Sequence, residues 1–195
     1  GKLNDICTGT ACIVDGAMVA FGKMVRFRHN DMQDLAAKLG SNTASGGRLV
    51  ATDGVFSMSG AIADLPDLLK AARPHGARVM VDDAHSVGVL GDTGAGTAEH
   101  YGVTDQVDLI TATFSKSFAC IGGYVAGSKE VINFIKHKAR SFIFSASMPP
   151  SAVATVLAAL DVIQAEPERR EQLWRNTKMM HEGLRSLGFD IGDTQ

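Results

Sequence analysis

Short apolar runs alternate with amphipathic stretches along most of this chain, and that alternation restricts it to a layered α/β fold. The pattern predicts strands at 25–28, 48–52, 78–81, 107–111 and 123–126, and helices at 13–22, 31–39, 64–72, 130–140, 151–165 and 169–187. Met32, Leu35, Ala36 and Leu39 recur at helical spacing behind a cap at Asn30 or Asp31, and Asp64 opens the next helix. In the last helix Leu173, Met180, Leu184 and Leu187 form an apolar stripe. Short strands separated by helices need crossovers, so the sheet is mostly parallel. The pattern leaves the direction of 123–126 open, and it assigns no element to the odd run 4–12.

With 195 residues, 45% of them hydrophobic, the chain can bury one substantial core. A net charge of −2 gives no electrostatic case for nucleic acid or an anionic membrane surface. The basic run Lys136, His137, Lys138, Arg140 reads as the solvated face of a helix. No stretch approaches the ~20 apolar residues of a transmembrane segment, and the first residues do not resemble a signal peptide. Cys7, Cys12 and Cys120 lack metal-ligand spacing and fit a reducing compartment, so a cytoplasmic enzyme domain is the expectation.

Two segments carry chemistry, and each directly follows a predicted strand. The first is Asp82-Asp83-Ala84-His85, the second Thr113-Phe114-Ser115-Lys116. Ligands of parallel sheets collect beyond the carboxyl ends of strands, so both segments can share one site. An amine flanked by hydroxyls is either a surface cation or a group that condenses with a carbonyl. An Asp at the end of an apolar strand needs a cationic or hydrogen-bonding partner, and a pyridinium nitrogen is one such partner. A helix cap is the plainer reading. A metal set of Asp, Asp and His is open too, but no second His or Cys cluster supports it, and no metal is expected. Ser57 sits in a further post-strand loop, Asp53-Gly-Val-Phe-Ser-Met-Ser-Gly60, which by itself reads as a turn. The glycine-rich 88–96 lacks P-loop spacing and reads as loop. His29 reads as a structural residue at a helix start, and Ser145 belongs to a polar turn before a helix.

Val-Asp-Asp-Ala-His-Ser (81–86), Thr-Phe-Ser-Lys-Ser (113–117), Gly-Gly-Tyr (122–124) and Phe-Ser-Ala-Ser-Met-Pro-Pro (144–150) together resemble the α-oxoamine synthases. Gly-Val-Phe-Ser-Met (54–58) and Arg-His-Asn-Asp (28–31) fit the same pattern in the same order. These are fold-type-I pyridoxal 5'-phosphate (PLP) enzymes, and Thr-Phe-Ser-Lys-Ser leans toward their serine palmitoyltransferase branch. The resemblance implies a three-layer α/β/α sandwich, incomplete here. Residues 1–195 would be most of the large PLP-binding domain, with an N-terminal segment expected before it and a small C-terminal domain after it. It implies that Lys116 holds the cofactor as a Schiff base and works as acid and base at the substrate α-carbon. By the same resemblance Asp82 pairs with the ring nitrogen, and His85 and Ser57 approach the phenolic oxygen. Thr113 and Ser115 reach the phosphate region, joined by Ser145 from across a homodimer interface. The implied reaction joins an amino acid to an acyl-CoA with loss of CO2 and CoA, as in sphingolipid or biotin biosynthesis.

One residue departs from the family's pattern. Where the family has a histidine that stacks on the ring, this chain has Thr10, which has no π-face to offer. Two other readings therefore stand beside the first: another fold-type-I enzyme such as an aminotransferase, and a catalytically silent scaffold subunit.

Overall fold

A computed structural model of the chain describes residues 4–7, 11–20, 22–42, 46–192 and 194. Six strands form one sheet: β1 (Asn4–Cys7), β2 (Val25–Arg26), β3 (Arg48–Asp53), β4 (Arg78–Asp82), β5 (Leu109–Thr113) and β6 (Gly123–Gly127). Their order is β2-β1-β3-β4-β5-β6; β1 to β5 are parallel and β6 runs antiparallel to β5. Within the run 4–12, to which the sequence pattern assigns no element, residues 4–7 pair with β3, and Ile6 and Cys7 pair with β2 as well. Two strand positions also differ from the sequence reading. β2 stops at Arg26, and β5 lies two residues further on than 107–111.

The helices are α1 (Ala11–Val19), α2 (Met32–Ser41), α3 (Leu65–Ala72), α4 (Thr97–His100), α5 (Lys129–Lys138), α6 (Arg140–Ile143), α7 (Pro150–Ala165) and α8 (Glu168–Ser186). Asp31 caps α2 by accepting the Asp34 N–H at 2.8 Å, and Asp64 caps α3 by accepting the Asp67 N–H at 3.1 Å. Ser128 does the same for α5 through the Val131 N–H. His29 packs edge-on against Phe56, with ring centroids 4.3 Å apart, which suits a structural role at the start of α2.

Strand alternation sorts the side chains into two layers. Val50, Val79 and Val81 are fully buried with Leu35 and Leu39 of α2 and Leu65 and Leu68 of α3. Each of those leucines stabilises the fold by about 1.5–3 kcal/mol relative to an exposed position. On the opposite face Ala51, Met80 and Asp82 look across a cavity at α1. Helices on both faces make the three-layer sandwich that the resemblance implies. At the β5–β6 end, Val156, Ala159 and Ile163 of α7 pack against Val87, Ala112 and Phe118.

Candidate active site

The antiparallel turn of β6 decides where Lys116 sits. A parallel successor to β5 would need a crossover, but an antiparallel one returns directly, so residues 114–122 stay at the carboxyl edge of the sheet. Phe114 N–H donates to the Gly122 carbonyl at 3.0 Å, Cys120 N–H to the Phe114 carbonyl at 2.8 Å, and Ala119 N–H to the Lys116 carbonyl at 3.0 Å. Phe118 is buried and stacks edge-on with Phe114 at 5.2 Å. The lysine backbone is therefore fixed from both sides while its side chain is exposed, and its amine has no hydrogen-bond or ion-pair partner among the described residues.

Asp82 closes β4, in register with Asp53 of β3 and Thr111 of β5. One carboxylate oxygen accepts the Ala84 N–H at 3.0 Å, and the other has no hydrogen-bond partner among the described residues. Asp82, Thr113, Ser115 and Lys116 line one open cavity of about 750 Å³, floored by Ala51 and Met80 and faced by α1. Thr113 Oγ1 lies 2.9 Å from Ser115 Oγ and 3.2 Å from the Gly122 carbonyl. With its proton given to that carbonyl, Thr113 accepts from the Ser115 hydroxyl and from the Ser115 N–H at 3.2 Å, and a Ser115 hydroxyl that turns outward gives up its bond to Thr113.

His85 lies on a neighbouring cavity of about 590 Å³ that shares Ala84 and Lys116 with the first. Burial and then the Lys116 charge hold His85 below its ordinary value of 6.5, against the opposing pull of Asp82. The ring is accordingly neutral at pH 7, able to donate from one nitrogen and accept at the other. Lys116 thus borders both cavities and links the two segments, as the sequence suggested.

Two sequence-predicted residues do not join them. Ser57 is exposed in its loop and lines neither cavity. Ser145 is exposed too, its hydroxyl donating to the Ser141 carbonyl one helical turn back. Thr10 lies outside the described residues. The sequence offers Asp83 only as part of an open metal set; it is completely buried, accepts the Ser86 hydroxyl, and takes the Thr97 N–H at 3.3 and 3.2 Å. The signal was present in the two-residue alternation: Asp82 shares a face with Met80, whereas Asp83 falls with Val79 and Val81. Among the described residues no group of three or more His, Cys, Asp or Glu side chains is placed to hold a metal ion, and no helix is long and apolar enough to cross a membrane.

A lysine and an aspartate at the carboxyl edge of a mostly parallel, helix-covered sheet define a class of layered α/β proteins whose ligands sit at that edge. The chain belongs to the aminotransferase class I and II family, whose profile matches residues 13–195. It is 51% identical to a serine palmitoyltransferase of Sphingobacterium spiritivorum over 95% of its own length and 46% of that protein. It is 45% identical to an 8-amino-7-oxononanoate synthase of Symbiobacterium thermophilum, covering 95% of this chain and 47% of that one. Among solved structures, an SPT with a PLP internal aldimine superposes on the whole chain and 49% of its own, with a TM-score of 0.94 and 38% identity. A serine palmitoyltransferase of Sphingomonas wittichii matches with the same TM-score and coverage at 36% identity. The chain spans about half the length of the curated relatives it matches.

Proposed function

We propose that this chain is the cofactor-holding part of a PLP-dependent α-oxoamine synthase of the serine palmitoyltransferase kind. Its substrates are an amino acid and an acyl-CoA, its products an aminoketone, CO2 and CoA, and its working form a homodimer. The observation that carries this reading is the Lys116 amine, without a partner among the described residues, on the same cavity as an Asp82 carboxylate with one oxygen unpaired among them.

The residues fit the cofactor. The unpartnered Asp82 oxygen suits a protonated ring nitrogen, the exposed lysine suits an aldehyde carbon, and the Thr113–Ser115 hydroxyl pair suits a phosphate. When bound, PLP supplies a carbon that condenses with amines and an electron-poor ring that draws charge from the amino acid's α-carbon. Asp82 would hold the ring nitrogen and favour its protonated form through its negative charge. Lys116 would provide the amine that holds the cofactor and a base for the substrate's α-carbon proton. His85, on the adjoining cavity that Lys116 also borders, would hydrogen-bond the phenolic oxygen or the incoming substrate. Ser57 and Ser145 enter this reading through the resemblance alone, Ser145 as a residue contributed by the second copy of the homodimer.

The test is thiol release. Full-length protein with PLP, an amino acid and a long-chain acyl-CoA should liberate free CoA and CO2 together. Keto-acid formation without thiol release would assign an aminotransferase instead, and neither product would leave a scaffold.

A further inference from the structure

Asp83 plays no part in that chemistry, yet the structure encloses it more tightly than any other acid near the site. It is fully buried on the face of the sheet away from the cavity. A Cβ at Gly54 would fall 2.2 Å from one of its carboxylate oxygens, and a Cβ at Gly96, where φ is +108°, 2.3 Å from the other. Only glycine lets the backbone approach this closely from both sides. The charge is met by the Ser86 hydroxyl and the Thr97 N–H, so the carboxylate bridges its own turn to the start of α4. Burial still pushes the Asp83 carboxyl above its ordinary value of 3.8, against the pull of Ser86 and Thr97.

The Asp83 main chain ties the same region. Its N–H donates to the Thr111 carbonyl at 2.7 Å, and its carbonyl accepts from Ser86 at 3.0 Å and Val87 at 2.9 Å, closing the turn that holds Ala84 and His85. Gly54, pressed against the carboxylate, donates its N–H to the Asp82 carbonyl at 2.8 Å. The Ala84 N–H in turn holds the Asp82 carboxylate.

We propose that Asp83 is a positioning residue: its carboxylate, clamped between Gly54, Ser86, Gly96 and Thr97, fixes the turn that aims Asp82 and His85 at the cofactor. This rests on the cofactor reading above. Filling the space with apolar groups would avoid the desolvation of a charge. An acid with directed donors instead specifies a single geometry, a known use of buried polar groups. Asp83→Asn keeps the volume and the Ser86 contact but points an NH2 group at the Thr97 N–H, or the reverse if the amide flips.

The test uses full-length protein loaded with PLP and reads the induced circular dichroism of the cofactor band and the dissociation constant for PLP. Leu68→Ala, in the core away from the cavity, is the comparison for a general loss of stability. Asp83→Asn should weaken PLP binding on the order of tenfold and lose most of the induced signal. At an equal fall in urea midpoint, Leu68→Ala should keep both. Should Asp83→Asn fail to fold, Ser86→Ala, which removes one donor, should show the same effects in smaller measure. Unchanged binding and dichroism in the Asp83 or Ser86 variant, or equal losses in Leu68→Ala, would overturn the proposal. A wild-type protein with no cofactor band would overturn the cofactor reading itself, a distinct failure.

Discussion

Ser117 Oγ donates to the Val87 carbonyl at 2.6 Å, joining the loop that bears Lys116 to the turn that bears His85. Two segments thirty residues apart in sequence are held together next to the lysine itself. Ser117→Ala should cost about 1 kcal/mol of stability, one net hydrogen bond, and leave a carbonyl without its donor. Urea denaturation measures the loss, and PLP trapping on Lys116 should slow in the same variant.

The same loop holds Ala119 at φ +49°, a left-handed conformation that disfavours a residue with a Cβ. Ala119→Gly removes that strain and adds unfolded-state entropy, so the net gain should be modest, up to about 1 kcal/mol. A higher urea midpoint with unchanged PLP binding is the expected result.

His85 offers a titration. Burial first, and Lys116 second, hold its pKa below 6.5, while Asp82 acts the other way. Lys116→Ala should raise the His85 pKa, and Asp82→Asn should lower it further. Imidazole proton shifts followed by NMR against pH would report both, and shifts in the same direction would contradict the arrangement.

Asp108 anchors the far end of the sheet. It accepts the Val79 N–H, Arg73 and Arg78, each at 2.8 Å. Burial would raise its pKa, but these donors hold it below 3.8. Because the folded value is depressed, its contribution is full above the ordinary 3.8 and is lost as pH falls through the lower folded value. Asp108→Asn should therefore destabilise the protein by about 1–3 kcal/mol at pH 7, with the gap closing in strong acid. Denaturation midpoints at pH 7 and pH 2 give the comparison.

Asp82→Asn keeps the size and the Ala84 contact but removes the charge that the proposed function sets opposite the ring nitrogen. Loss of a charge-assisted hydrogen bond should weaken PLP binding roughly 10- to 100-fold, measured by equilibrium absorbance titration.

Much of this was legible in the chain, for identifiable reasons. Val79 and Val81 mark a buried strand whose following acid can only lie at its carboxyl end, and the apolar run before Thr113 does the same for Lys116, so both fall at one edge. Helix caps at Asp31 and Asp64 were readable because a short acid before an apolar repeat has few other uses. Residues 4–7 were not readable: Asn-Asp-Ile-Cys shows no period, and pairing on both sides is what makes it a strand. Nor was the shift of β5, since Val107 and Thr113 suit a strand equally well and the antiparallel partner β6 sets the register. Ser57 and Ser145 came from resemblance alone, and neither lines the two cavities that Lys116 borders.

The central claim is that Lys116 carries the cofactor. Folded full-length protein with PLP should show a visible Schiff-base absorbance band, and borohydride reduction followed by peptide mass mapping should place the adduct on the Lys116 peptide. Lys116→Ala should lose both while staying folded. No band from folded protein, or an adduct that persists at the same peptide in Lys116→Ala, would contradict the account.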